Sequence, residues 1–138
     1  MPHDPVLIEE TNRWFLKAKD DLKTAEITLK EEPPLLSTSV FHSQQAVEKA
    51  FKGFLVWHQV PFRKTHNLEE IGEQVISVEP ELKYLIDETV YLTIYAWKYR
   101  YPDDIFEPDK HETKEALNVA KKAFEVIISH LPREVKPL

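Results

Sequence analysis

Hydrophobic and polar positions alternate along this chain with a helical period. From Asp4-Pro5 to about Glu31, Trp14, Phe15, Ala18, Leu22, Ala25 and Leu29 fall on one narrow stripe. Lys17, Lys19, Asp20 and Lys23 lie outside it. The Pro33-Pro34 turn leads to a second predicted helix, about Ser37 to His58, with Val40, Val47, Phe51 and Phe54 on its core face and Ala46 and Ala50 beside them. Asn67-Leu-Glu-Glu70 is a capping-box signature that opens a short third helix ending near Ser77. Pro80 starts a fourth, running to about Tyr99, with Leu82, Leu85, Thr89, Leu92 and Ala96 on one face. Asp109-x-x-Glu112 caps a fifth, whose inner side is Leu117, Ala120, Phe124, Ile127 and Leu131.

Punctuation supports the same reading. The chain has 10 prolines and 2 glycines, Gly53 and Gly72, and no Asn-Gly or Asp-Gly hairpin signal. The expectation is a single all-α domain over residues 1–138, an up-and-down bundle of four long helices plus one short helix. On the fourth helix Tyr91, Tyr95 and Tyr99 recur every four residues on a second face. A helix apolar nearly all round is central or covers a partner, so these tyrosines are the expected homodimer interface.

Composition narrows the function. With 42% hydrophobic and 30% charged residues, the chain is not of disordered type. The absence of cysteine excludes disulfides, a thiol nucleophile and cysteine zinc sites. The longest stretch free of Asp, Glu, Lys and Arg, Pro33 to Val47, is too short and polar to span a bilayer, and no secretory leader opens the chain. A cytoplasmic protein without membrane contact is expected. The net charge of -6 argues against broad attraction to nucleic acid. Residues 36–66 are nevertheless distinctly basic and hold His42, His58 and His66.

Three polar features are candidates for chemistry. On the second helix His42, Gln45, Lys49 and Lys52 form a ladder opposite the core face, suited to phosphate or to the polar edges of a nucleotide. The plain alternative is a solvated face. Arg63, Lys64 and His66 stand just ahead of a helix N-terminus, where backbone N–H groups favour an anion. Arg100 follows the fourth helix; if the helix reaches it, the guanidinium points along the Leu82/Thr89/Ala96 face and is tied to a carboxylate or lines a cleft, the modest alternative being a cation set at a helix C-terminus against the dipole. Glycine-rich phosphate loops, Gly-x-Ser-x-Gly and calcium loops are absent. His111 and Glu115 read as ordinary residues of a helix's first turn, and Asp103-Asp104 as solvated or capping acids, so no metal site and no cofactor is predicted.

Over roughly residues 11–131 the chain resembles the HEPN family (higher eukaryotes and prokaryotes nucleotide-binding). The carriers are Trp14-Phe-Leu-Lys-Ala-Lys-Asp-Asp-Leu22, Phe41-His-Ser-Gln-Gln-Ala-Val-Glu-Lys-Ala-Phe-Lys52, Thr65-His-Asn-Leu68 and Arg100-Tyr-Pro-Asp103, in that order. The resemblance implies a helical bundle, usually homodimeric, often encoded beside a minimal nucleotidyltransferase in toxin–antitoxin style pairs. Many members are ribonucleases with an Arg-x(4–6)-His motif at the dimer interface. Here Arg100 has no histidine at that spacing, the next being His111. The expectation is therefore a nucleotide- or RNA-binding module that partners a nucleotidyltransferase, with His42, Gln45, Lys49, Lys52, Arg63, Lys64, His66 and Arg100 at the ligand. One alternative is a metal-independent ribonuclease using Arg100 with His42 or His66. The other is a purely structural dimeric interaction module.

Overall fold

A computed structural model describes residues 3–135. Helix α1 spans Pro5–Lys30, with Pro5 in its first turn and the Asp4 carboxylate accepting from the Val6 N–H at 2.9 Å. Helix α2 spans Leu36–Trp57, α3 Leu68–Val78, α4 Lys83–Thr89 and α5 Lys110–Ser129. The fold is all-α, as the periodicity predicts, and no strand occurs among the described residues.

Helix α2 is the axis of the bundle. It packs on α1, α3, α5 and the Val90–Ala96 segment, and it buries residues on nearly every face. Val40, Val47, Phe51 and Phe54 sit in the core as expected, with Phe15 of α1 and Ala116, Ala120 and Ile127 of α5. The α1–α2 approach is tight at Gly53, where an added Cβ would lie 2.8 Å from the Phe15 ring and 3.0 Å from Trp14 Cβ. Gly72 does the same for α3 and α4, because a Cβ there would meet Ile86 Cγ2 at 2.4 Å.

Both predicted caps form, but only half of each box. The Asn67 side chain accepts from the N–H groups of Glu69 and Glu70, while the Glu70 carboxylate turns to Arg63. Asp109 accepts from the Glu112 N–H at 2.7 Å, while the Glu112 carboxylate takes the Tyr95 hydroxyl.

The fourth predicted helix needs correction. It begins as a 3-10 turn at Pro80–Leu82, is α-helical only over Lys83–Thr89, and continues as 3-10 helix over Val90–Ala96. Thr89-Val-Tyr-Leu-Thr-Ile-Tyr is a β-branched and aromatic run with poor α propensity, and Thr89 Oγ1 donates back to the Ile86 carbonyl at 2.9 Å. The inward face of Leu82, Leu85, Thr89, Leu92 and Ala96 is buried as predicted. The helix stops at Ala96 rather than Tyr99, and Tyr99 takes a left-handed backbone with φ 70. Among the described residues no helix is long and apolar enough to cross a membrane.

Candidate functional site

The site grows from one irregularity in α1. Asp21 lies three residues after Ala18 and four before Ala25, on the stripe that packs against α2, and its side chain is 10% exposed. A carboxylate there needs partners, and α2 supplies two. Asp21 Oδ1 accepts from His42 Nδ1 at 2.8 Å, and Oδ2 accepts from Lys49 Nζ at 2.6 Å.

A second carboxylate, Glu48 of α2 itself, is held in the same way. Glu48 Oε1 accepts from His66 Nδ1 at 2.7 Å and Oε2 from Lys52 Nζ at 3.0 Å. Each carboxylate thus holds one imidazole and one ammonium, one on each oxygen. Two glutamines join the triads. Gln45 accepts from Lys49 at 3.3 Å and donates to Gln44 Oε1 at 2.7 Å, and Gln44 donates to Glu48 at 3.2 Å and to the His66 carbonyl at 3.1 Å. The Lys52 ammonium also lies 5.9 Å from the Trp14 ring centroid and 5.6 Å from that of Phe62.

This geometry corrects the placement of the ladder. His42, Gln45, Lys49 and Lys52 do come together, and His66 joins them, but the arc faces α1 and the chain interior rather than solvent. Gln45 and Lys52 are buried, and both lysines are matched by carboxylates. The solvated-face alternative fails for the same reason. What reaches the surface most is the His66 imidazole, 62% exposed, with His42 at 27% and Lys49 at 24%. With Nδ1–H given to a carboxylate, each neutral ring keeps an unprotonated Nε2 as acceptor or base.

Arg100 abuts this seam without entering it. Because the helix ends at Ala96, Arg100 is exposed and not aligned with the Leu82/Thr89/Ala96 face. Its guanidinium donates to the Ala96 carbonyl at 2.8 Å and lies over the Phe41 ring at 4.0 Å. The Phe41 and His42 ring centroids are 5.1 Å apart, so Phe41 is the spacer between guanidinium and imidazole.

The remaining candidates separate. Arg63 gives both Nε and Nη2 to Glu70, at 3.2 and 2.6 Å, an exposed pair that holds Glu70 below the ordinary carboxylate range and Arg63 above the ordinary guanidinium value. Lys64 is exposed in the same loop. The tyrosines divide as well. Tyr91 is 42% exposed, whereas Tyr95 is 2% exposed, stacked on Tyr99 and bonded to Glu112, with burial pushing its phenol pKa up. The described surface near them is instead apolar at Ile94, Trp97, Tyr101, Ile105 and Phe106. His111 and Glu115 make only a 3.9 Å exposed pair, and Asp104 bonds the Tyr101 N–H in a turn.

Asp21, Glu48, Gln44 and Phe41 belong to the site without having been candidates. Their signal is positional: Asp21 interrupts an apolar stripe, and Gln44, Glu48 and Lys52 follow one another at four-residue spacing.

The family model described as HEPN domain matches residues 11–131. A protein of Methanocaldococcus jannaschii named "Putative toxin MJ1304" is 32% identical over 135 residues, covering 87% of this chain and 87% of the relative. No solved structure matches the chain at a significant level.

Proposed function

We infer the function from one premise: the chain belongs to the HEPN domain family. We propose that it is the HEPN component of a toxin–antitoxin pair, a cytoplasmic homodimer acting beside a minimal nucleotidyltransferase subunit. It engages RNA or a nucleotide by phosphate contacts at the rim formed by Arg100 and His42. The observation that carries this reading is the state of the cations. Lys49 and Lys52 are each tied to a carboxylate, whereas Arg100 donates to a carbonyl and lies exposed. A guanidinium with free donors suits a phosphate, which it can grip in two places.

The test is calorimetric titration of the purified protein with AMP, ATP and a short RNA, with Arg100→Ala in parallel. The expected loss on substitution is at least about tenfold in affinity, roughly 1.4 kcal/mol. Equal affinity of the two proteins for every ligand overturns the site.

A second reading, metal-independent RNA cleavage, is favoured by the Asp21–His42 pair. A carboxylate that fixes Nδ1–H leaves Nε2 ready to take a 2′-hydroxyl proton, and Arg100 stands ready to stabilise charge developing on the phosphate. In the presence of a chelator the wild type is then expected to cut RNA, and His42→Gln to bind it without cutting. An RNA left intact by the wild type sinks this second reading.

A further inference from the structure

Away from the α1–α2 seam, three helices end at one place. His58 is the C-terminal cap residue of α2, Glu79 of α3 and His130 of α5. Each caps with its backbone, His58 to Phe54, Glu79 to Val75 and His130 to Ile127, so the last carbonyls of helices with 22, 11 and 20 residues gather there. A helix C-terminus carries the equivalent of roughly half a negative charge, which favours a cation. The side chains at this end add carboxylates rather than cations.

His130 Nδ1 meets the Glu79 carboxylate, and Glu81 follows in the 3-10 turn that Glu79 caps. One ligand atom each from Glu79, Glu81 and His130 lie within 4.8 Å of one another. Among the described residues no lysine or arginine pairs with Glu79 or Glu81. In the α1–α2 seam the buried carboxylates are matched by cations: Asp21 has Lys49 and His42, and Glu48 has Lys52 and His66. Here two carboxylates and three helix ends face one imidazole.

A second, independent feature lies at the same end. His58 Nε2 is buried and has no hydrogen-bond partner. Its ring lies against Phe54, with centroids 4.5 Å apart. Burial favours its neutral form, opposed by the negative charge of nearby Glu79.

We propose that Glu79, Glu81 and His130 form a divalent-cation site of the zinc class, which fastens the C-terminal ends of α2, α3 and α5 together. The donor set of one imidazole nitrogen and two carboxylates suits Zn²⁺ or Co²⁺, and a three-residue set leaves a coordination position for water. The role is structural, since the site shares no residue with the Arg100–His42 rim.

The experiment uses the full chain, stripped with a chelator and titrated calorimetrically with Zn²⁺ and separately with Co²⁺, whose visible bands report nitrogen and oxygen coordination. The expected result is one ion per chain and a thermal midpoint that rises with metal. Glu81→Gln, at an exposed position with no recorded partner, is expected to fold normally and to bind at least about tenfold more weakly, as is His130→Gln. Failure of the wild type to bind either ion overturns the site. Unchanged binding by both variants overturns it equally.

Discussion

The α1–α2 seam and the segment after Ala96 carry their polar groups in opposite ways. In the seam, two carboxylates, two ammoniums and two imidazoles are assembled so that every oxygen of Asp21 and Glu48 has a donor. Between Trp97 and Glu107 almost everything is exposed, including Trp97 at 56%, Ile105 at 81% and Phe106 at 75%, and Arg100 rests on a ring and a carbonyl. A buried charge is tolerated only when matched, so the seam is a rigid scaffold with no cation to spare. The segment beyond it has charge and apolar surface left over for a ligand or a partner. Polar residues deep in the bundle thus hold one another in place, and the proposed ligand rim lies where their outer edges meet Arg100.

The sharpest way to break that contrast is to remove a carboxylate from the seam. Glu48→Ala leaves the Lys52 ammonium, 8% exposed, without its counter-ion, and frees His66. The expected cost is about 3–5 kcal/mol of folding stability, read as a lowered urea midpoint. A loss below about 1 kcal/mol would mean that Lys52 escapes to solvent and that the seam is not rigid. Next in size is Gly53→Ala, which pushes a methyl group into Phe15 at the closest approach of the two helices. Overpacking of about 1–3 kcal/mol, offset by alanine's helix propensity of about 1 kcal/mol, leaves an expected net loss of about 1 kcal/mol in the same assay.

The two regions were also unequally legible in the sequence. Periodicity and caps place α1, α2, α3 and α5 within a residue or two, because Asp4-Pro5, Asn67 and Asp109 each act locally. Whether α2's polar arc faced water or another helix was not a local property. It depended on α1 covering the arc, and Asp21 on the α1 stripe was the residue that told of it. His42, Gln45, Lys49, Lys52 and His66 were found as a group, yet their counter-charges were not, since Asp21 acts from 28 positions before Lys49. For Arg100 the sequence left two placements open, and the structure takes the one at the helix C-terminus, where the guanidinium donates to the Ala96 carbonyl. The pattern of Leu82 to Ala96 fits an α-helix and a mixed 3-10 helix equally on its buried face, and the difference shows only at the end, where Tyr99 turns left-handed.

Arg100→Lys sharpens the contrast from the other side. Lysine keeps the charge but loses the planar fork and its flat contact with Phe41. An exposed cation–π contact contributes about 0.5–1 kcal/mol, so the expected stability loss stays within that range while ligand affinity falls. A large drop in the urea midpoint would show that Arg100 belongs to the scaffold after all, and that the division between seam and rim is false.

The smallest stability effect is expected furthest from the seam. Ile105→Ser combined with Phe106→Ser removes two apolar side chains that are largely exposed. Folding stability of the isolated chain should change by less than about 0.5 kcal/mol. If the proposed homodimer forms through this segment, sedimentation should nevertheless show the double variant as a monomer where the wild type is a dimer, because largely exposed aromatic and aliphatic side chains suit the core of a contact between copies. Retention of the dimer would move the interface elsewhere, and Tyr91 and Trp97, exposed on the preceding turn, would be the next residues to change.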